Sequence, residues 1–218
     1  MDSGEAKQTD GTYRELLGSL FPLIRQSPNI LIAGAIQALS FGVFLSLWLG
    51  LGLHLTSLEM GYGTDTVGYL ALFALVNLAA TPLIGSWADR FGARKARVRL
   101  SMIQFFGVCL FAVFGSNLWL LIIPIVITNI CGPCIDVTNR MTFLNAAPGI
   151  RTRLMTVYII CMFLGGGFAS WAGTALYDYA GWAGNSGLAV VMSGMVLVLS
   201  WWSNRRERHQ ALGENTQT

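Results

Sequence analysis

Four groups of residues in this chain could do chemistry. Cys131-Gly132-Pro133-Cys134 has the spacing at which a thiolate at a helix start exchanges disulfides. It lies inside an apolar run, however, with no cationic neighbour and no strand-and-helix pattern around it, and such cysteines behave as inert small hydrophobes. Asp136 and Arg140 stand one helical turn apart, so they either pair with each other or act, with Arg153 nearby in sequence, at an inner gate. Gln37, Asn77 and Asn129 fall near the middle of apolar runs, where a polar side chain either bonds a neighbouring helix or belongs to a site. The fourth group is a short, strongly basic stretch from Gly85 to Arg99, which contains Asp89, Arg90, Gly92, Arg94 and Lys95. Nothing in these residues calls for a cofactor, a metal or enzymatic turnover.

The elements that must position these groups are apolar and long. With 54% hydrophobic and 11% charged residues and a mean hydropathy of +0.56, the composition excludes an ordinary soluble domain. A helix that crosses a bilayer needs roughly 20 such residues at 1.5 Å rise. Six runs qualify, at about Ile30–His54, Val67–Ala88, Val98–Gly115, Leu118–Asn139, Leu154–Tyr177 and Ala183–Trp202. Before them, Tyr13, Leu16, Leu17, Leu20, Phe21 and Ile24 recur at helical spacing, as in a short amphipathic helix lying on the membrane surface. No cleavable signal peptide is expected, because the first long apolar run starts only near Ile30. The expected organisation is therefore a cytoplasmic tail and interfacial helix over 1–29, a six-helix membrane domain over 30–203 and a cytoplasmic tail over 204–218, basic from Arg205 to Arg208 and ending in a polar, mobile stretch.

Charge orients these spans. With both ends cytoplasmic, all 14 Lys and Arg fall on the inner side or at inner helix ends, while the outer segments hold only His54, Glu59, Asp65 and Asp178. That clustering between apolar runs, rather than on one solvated face, argues for membrane orientation and against nucleic-acid binding. Trp87, Trp119, Trp182, Trp201 and Trp202 sit near span ends, where interfacial aromatics collect. Gly132, Pro133 and Pro124 mark the fourth span for a kink. Gly165, Gly166, Gly167, Ala169, Ser170 and Gly173 give the fifth span a smooth face, which suits either packing inside the bundle or a dimer interface.

The spacing Gly85-x-x-x-Asp89-Arg90-x-Gly92-x-Arg94-Lys95 between two membrane spans resembles the signature loop of the major facilitator superfamily of secondary transporters. The run from Thr138-Asn139 through Pro148, Arg151, Arg153, Thr156, Tyr158 and Gly165-Gly166 to Gly181-Trp182 is similar to the last helices of its drug-efflux-type members. The resemblance covers nearly the whole chain after Tyr13 and implies an all-α membrane fold: six helices arranged as two inverted repeats of three, like the C-terminal half of a twelve-helix transporter. The pair Asp89-x-x-Gly92 and Asp178-x-x-Gly181, after the second and fifth spans, is consistent with such a repeat. The resemblance further implies that Gln37, Asn77, Asn129 and Tyr158 line a central cavity, and that the loop aspartate steadies one arrangement of the helices. The Cys131–Cys134 tetrapeptide is also similar to that of thioredoxins.

Three function classes follow. The first is a secondary transporter, or half of one, moving a small neutral or amphipathic organic molecule by alternating access, in the efflux direction. The second is a split relative that only binds a partner half, and the third is a membrane thiol–disulfide carrier working through Cys131 and Cys134. The expected partners are the lipid bilayer, a small-molecule substrate and either a second six-helix half or another copy of the chain. The expected location is a plasma or inner membrane. The topology is directly testable: in a background without native cysteines, cysteine placed at Glu59 or Asp178 reacts with an impermeant thiol reagent from outside, and cysteine at Ala93 does not. The reverse labelling pattern overturns the orientation.

Overall fold

The computed structural model describes residues 28–57, 60–143 and 148–215, so the expected surface helix before Pro28 and residue Glu59 lie outside the described residues. Within them the regular structure is helical throughout. Helix α1 spans Pro28–Leu55, α2 Thr64–Ala71, a 3-10 turn Leu72–Leu75, α3 Val76–Phe91, α4 Ala93–Val113, α5 Leu118–Met141 and α6 Pro148–Asn215.

Local chemistry sets these limits. Pro28 opens α1, where the missing N–H has no helical partner to lose. At its far end, Thr56 Oγ1 donates to Gly52 O (2.8 Å) and Ser57 Oγ to His54 O (2.7 Å), taking up terminal carbonyls. Gly92, at φ +87°, separates α3 from α4 in a backbone conformation that side-chain-bearing residues avoid. Asn117 caps α5, its side-chain oxygen accepting from the backbone N–H of Trp119 (3.0 Å) and Leu120 (3.3 Å). Helix α6 is broken at Ala180 and Gly181, whose backbone is non-helical, so it consists of two arms, 148–179 and 182–215.

By length and composition, four helical segments could cross a membrane: Asn29–Leu55, Ala93–Val113, Leu118–Met141 and Ile150–Arg206. The first three match expected spans closely. The fourth holds the expected fifth and sixth spans as one run of 57 residues, divided at the Ala180–Gly181 break. The expected span Val67–Ala88 is not one uninterrupted helix. It tightens into a 3-10 turn at Leu72–Leu75, and α2 and α3 on either side are 8 and 16 residues long. Helix α5 continues through Pro124 and Pro133 from Leu118 to Met141, with Thr128 Oγ1 donating to Pro124 O (2.8 Å). Helix α6 runs on past residue 203 as far as Asn215.

Helix α1 is the central strut, packed along α6 more extensively than any other pair of helices. The approach depends on missing side chains. A Cβ at Gly165 would strike Ala38, one at Gly166 would strike Phe41, one at Gly173 would strike Ser46, and one at Gly42 would meet Ala169. The smooth face of the fifth expected span is thus used inside the bundle. Around this seam lie three apolar clusters, the largest built on Val43, Leu47, Leu51, Val108, Phe111, Leu121 and Ile125. Cys131 and Cys134 are buried in another, with Ile36, Leu100, Ile135 and Val196. The outward surface carries Leu83, Phe106, Val113, Trp119, Leu164, Phe168 and Val198, all well exposed, as a hydrocarbon-facing surface would.

At the end bearing His54, an aromatic plug closes the bundle. The His54 ring lies with Nε2 2.9 Å from Gly115 O, and the Tyr177 hydroxyl is 3.4 Å from Nδ1. Trp182 stacks on His54 at 4.5 Å and on Phe111 at 5.0 Å, and donates its indole N–H to Ala112 O (3.2 Å). Trp182 therefore packs within the bundle, whereas Trp119 is 77% exposed.

Gly165→Val should lower stability by about 1–3 kcal/mol, the usual cost of overpacking a filled seam. Gly167→Val, on the same helix but with open space where its Cβ would lie, should leave stability nearly unchanged. Unfolding midpoints of the two purified variants in detergent check this, and equal midpoints would refute the seam argument.

Candidate functional site

Near the end of the bundle bearing the basic loop, four helices contribute to one hydrogen-bonded network. Asp136 and Arg140 on α5 form the two-point ion pair that their spacing allows, with Nε 2.9 Å from Oδ1 and Nη2 2.6 Å from Oδ2. Tyr158 on α6 donates its hydroxyl to the same Oδ1 (2.6 Å) and lies beneath the Arg140 guanidinium at 5.6 Å. Asn139, one residue before Arg140, extends the network in the other direction. Its amide N–H₂ donates to Ala33 O on α1 (2.7 Å) and to the Tyr158 hydroxyl (3.2 Å), and its Oδ1 accepts from Arg97 Nη1 on α4 (2.7 Å). The sequence of contacts is Arg97–Asn139–Tyr158–Asp136–Arg140.

Burial makes this network consequential. Tyr158 and Asn139 are fully buried, and Arg97 is 1% exposed with its Nε and Nη2 lacking hydrogen-bond partners. A guanidinium in that position is expensive unless something offsets its charge, because desolvation costs several kcal/mol per ion. Here Arg97 has one neutral amide oxygen. Asp136 and Arg140 are only partly buried and face a cavity of about 290 Å³ between α1, α5 and α6, which Gln37, Ser40, Phe41, Phe44, Gly132, Pro133 and Met162 also line. The size is close to the lower end of the range for small-molecule sites, and the combination of aromatic walls with a few polar groups is their usual composition.

The positions expected to be functional separate under this geometry. Gln37, Asp136 and Arg140 meet at the cavity. Tyr158 lies behind its wall, acting on Asp136 and not lining the space itself. Asn129 is buried farther along α5, donates to Ile125 O (2.9 Å), and shares a much smaller space with Gln104 on α4. Gln104 in turn reaches Ser40 at 3.5 Å. The side chain of Asn77 lies outside the described residues. Arg153 is exposed and forms none of the network's bonds. In the basic loop, Asp89, Arg90 and Lys95 are exposed at the α3–α4 turn and Arg94 is half-buried. A Cβ at Gly85 would meet open space, whereas Gly92 has the positive φ that its place in the loop suggested. Arg99 lies over Trp87 (5.7 Å) and Phe91 (5.8 Å), clamping the two helices on either side of that turn.

The residues that sequence reasoning missed are Arg97, Asn139, Ser40, Phe41 and Phe44. A signal existed for Arg97: with Leu100, Ser101, Gln104, Val108 and Phe111 it lies on the buried stripe of α4 at helical spacing. Cys131 and Cys134, buried among apolar side chains, present no accessible thiolate for exchange.

A bundle of long apolar helices around a polar network and a cavity defines a helical integral membrane protein. Comparison with known proteins makes it specific. A sequence model described as the Major Facilitator Superfamily matches residues 29–217. The chain is 31% identical over 199 residues to a probable transporter of Streptomyces coelicolor, which covers 90% of this chain and 45% of that protein. It is 24% identical over 202 residues to an uncharacterized transporter of Escherichia coli O157:H7, covering 89% of this chain and 49% of that one. Among solved structures, the POT family transporter PepTSo superposes with a TM-score of 0.69 at 20% identity, over 82% of this chain and 38% of that one. A second POT family structure, an auto-inhibited peptide transporter, gives 0.70 at 17% identity.

The chain belongs to the Major Facilitator Superfamily, a family of membrane transporters and not of enzymes. It spans about half the length of the curated relatives it matches.

The network predicts an order of mutational damage. Asn139→Ala strips Arg97 of its one hydrogen-bond acceptor and should cost about 1.5–3 kcal/mol, the range for bonds to charged groups. Tyr158→Phe removes the donor to the Asp136 carboxylate, which keeps both of its bonds from Arg140, and should cost near the low end of that range, about 1.5 kcal/mol. Unfolding of the two variants and of their double, read as a double-mutant cycle, tests whether they belong to one network; additive costs would argue that they do not.

Proposed function

We propose that this chain is one half of a secondary transporter that moves a small organic molecule by alternating access, in the efflux direction. In this reading it crosses the membrane six times as two inverted repeats of three helices. The second crossing is α2 with α3, and the two arms of α6 are the fifth and sixth. Residues 30–203 form the membrane domain, with 1–29 and 204–218 cytoplasmic, in a plasma or inner membrane. Gln37, Asp136 and Arg140 contact the substrate or gate its path, with Asn77 and Asn129 as further cavity positions and Arg153 as a further residue of the inner gate. The loop from Gly85 to Lys95 biases the equilibrium between the two facing states.

The observation that carries this reading is the cavity between α1, α5 and α6, where an ion pair and a glutamine meet two phenylalanines inside a chain of this family. Supporting the need for a partner is length: the relatives are about twice as long, so a second six-helix half or another copy of this chain would supply the opposite wall. The partner-binding reading without transport rests on the same observation.

Asp89 offers the decisive experiment. It is exposed at the end of α3 and has no hydrogen-bond or ion-pair partner among the described residues, so its counterpart would come from the other half. A carboxylate facing the positive end of a helix contributes about 0.3–1 kcal/mol, or up to about 2 when partly buried. That shifts a two-state equilibrium from about twofold to roughly thirtyfold. Asp89→Asn should therefore insert normally but lower flux in proteoliposomes by a factor in that range, and active particles should be larger than one chain. A strictly monomeric chain that transports, indifferent to Asp89→Asn, would refute the proposal.

A further inference from the structure

The network beside the cavity does not balance its charges. It contains two guanidinium groups, Arg97 and Arg140, and one carboxylate, Asp136, joined through the neutral Asn139 and Tyr158. Asp136 is already engaged: Oδ1 accepts from Arg140 and Tyr158, and Oδ2 from Arg140 again. Arg97 is 1% exposed and two of its guanidinium nitrogens have no acceptor. Among the described residues no other carboxylate is hydrogen-bonded to this network. Helix α1 adds only the neutral Gln37, Ser40 and a backbone carbonyl, and α6 adds Tyr158, with Arg151 and Arg153 exposed beyond it. The nearby loop carries the exposed Arg90, Lys95 and Arg99 alongside the exposed Asp89. Of the two arginines, Arg140 opens on the cavity, and its two bonds to Asp136 use fewer than the five N–H donors that a guanidinium carries.

We infer that the cavity takes an amphipathic organic anion, its carboxylate seated on Arg140 and its apolar body against Phe41, Phe44 and Met162. This rests on the transporter reading above and names the substrate class of that same site. The anion offsets the surplus positive charge that the chain leaves near the cavity. Arg140 provides the direct contact. Arg97 is a positioning residue that acts through Asn139, Tyr158 and the field it adds. An ammonium compound meets the reverse situation, since the one carboxylate in reach is already held by its own arginine and a tyrosine.

Three probes on one scaffold test the class: 4-phenylbutyrate, 4-phenylbutanamide and 4-phenylbutylamine, titrated by calorimetry against the purified chain in lipid nanodiscs. The butyrate should bind about tenfold more tightly than the amide, the scale of one unbalanced charge at the intermediate dielectric of a partly buried site, with the amine weakest. Arg140→Gln should abolish that preference, and Arg140→Lys, which keeps the charge, should retain most of it. Arg97→Gln should reduce the butyrate's advantage while leaving the amide's affinity unchanged, a split that simple loss of packing would not give. Asp136→Asn should widen the advantage. Elution volume and unfolding midpoint identify any variant that fails to fold, and the Arg140→Lys result and the wild-type ranking then decide alone.

A wild-type preference for the amine or the amide, no binding of the butyrate at millimolar concentration, or a preference indifferent to both arginines would overturn the inference. Because binding is read without flux, a chain that binds the butyrate as expected but moves nothing across a membrane would sink the transport reading and leave the ligand class intact. A chain that transports the amide and not the butyrate would do the opposite.

Discussion

The seam between α1 and the first arm of α6 determines where everything else can go. In lipid there is little hydrophobic gain from pressing two apolar helices together, so association has to come from close van der Waals packing and a few interhelical hydrogen bonds. The chain meets the first requirement by omission, with Gly42 on one side and Gly165, Gly166 and Gly173 on the other. The second requirement is met from the other arm of α6, where the Asn185 amide donates to both Ser46 O and Ser46 Oγ on α1 at 3.1 Å. With the two backbones held this close, Tyr158 on α6 and Ala33 on α1 come within reach of the same asparagine on α5. The polar network depends on that seam.

The network in turn explains why polar side chains are tolerated so deep in an apolar bundle. Asn139 uses both ends of its amide, bonding α1 and α6 with the nitrogen and α4 with the oxygen. A residue that satisfies several helices at once is difficult to replace by an apolar one, because every former partner would be left with an unmet hydrogen bond. Asp136 is served differently. Its ion pair is local to α5, and the one bond it takes from another helix comes from Tyr158. Breaking the Asp136–Tyr158 bond would therefore free the cavity wall from α6 without dismantling the α1–α4–α5–α6 junction at Asn139.

Much of this was legible in the sequence, and the reasons differ from one element to the next. Helices α1, α4 and α5 follow uninterrupted apolar runs, so their limits fell within a few residues of expectation. The Ala180–Gly181 break sits in the one short stretch between the last two runs that carries a carboxylate and a positive-φ glycine. The 3-10 turn at Leu72–Leu75 gave no warning, since Leu, Phe and Ala are as compatible with a continuous helix as with a tightened one. The extension of α6 past residue 204 was read as tail because its residues are polar; polarity marks where a helix leaves the membrane but does not end it. The contacts of Trp182 were equally hidden from the sequence. A tryptophan at a span end fits an interfacial belt, but its stacking on His54 and Phe111 depends on helices that are remote in sequence.

The site divides along the same line. Asp136 and Arg140 lie on one helix, and i,i+4 spacing alone determined that they could meet. Tyr158 was placed at a cavity only by resemblance, and its bond to Asp136 depends on how α5 and α6 cross. Arg97 was obscured by its neighbours: among Arg94, Lys95 and Arg99 it counted as one more positive charge orienting a loop. Orientation needs charge near the membrane surface, however, and Lys95 and Arg99 supply it from exposed positions. A guanidinium drawn into the bundle onto an asparagine answers a different need. The buried stripe of α4 carries it inward at a desolvation cost that the exposed Lys95 and Arg99 avoid, and the structure retains it beside an ion pair that opens on a cavity.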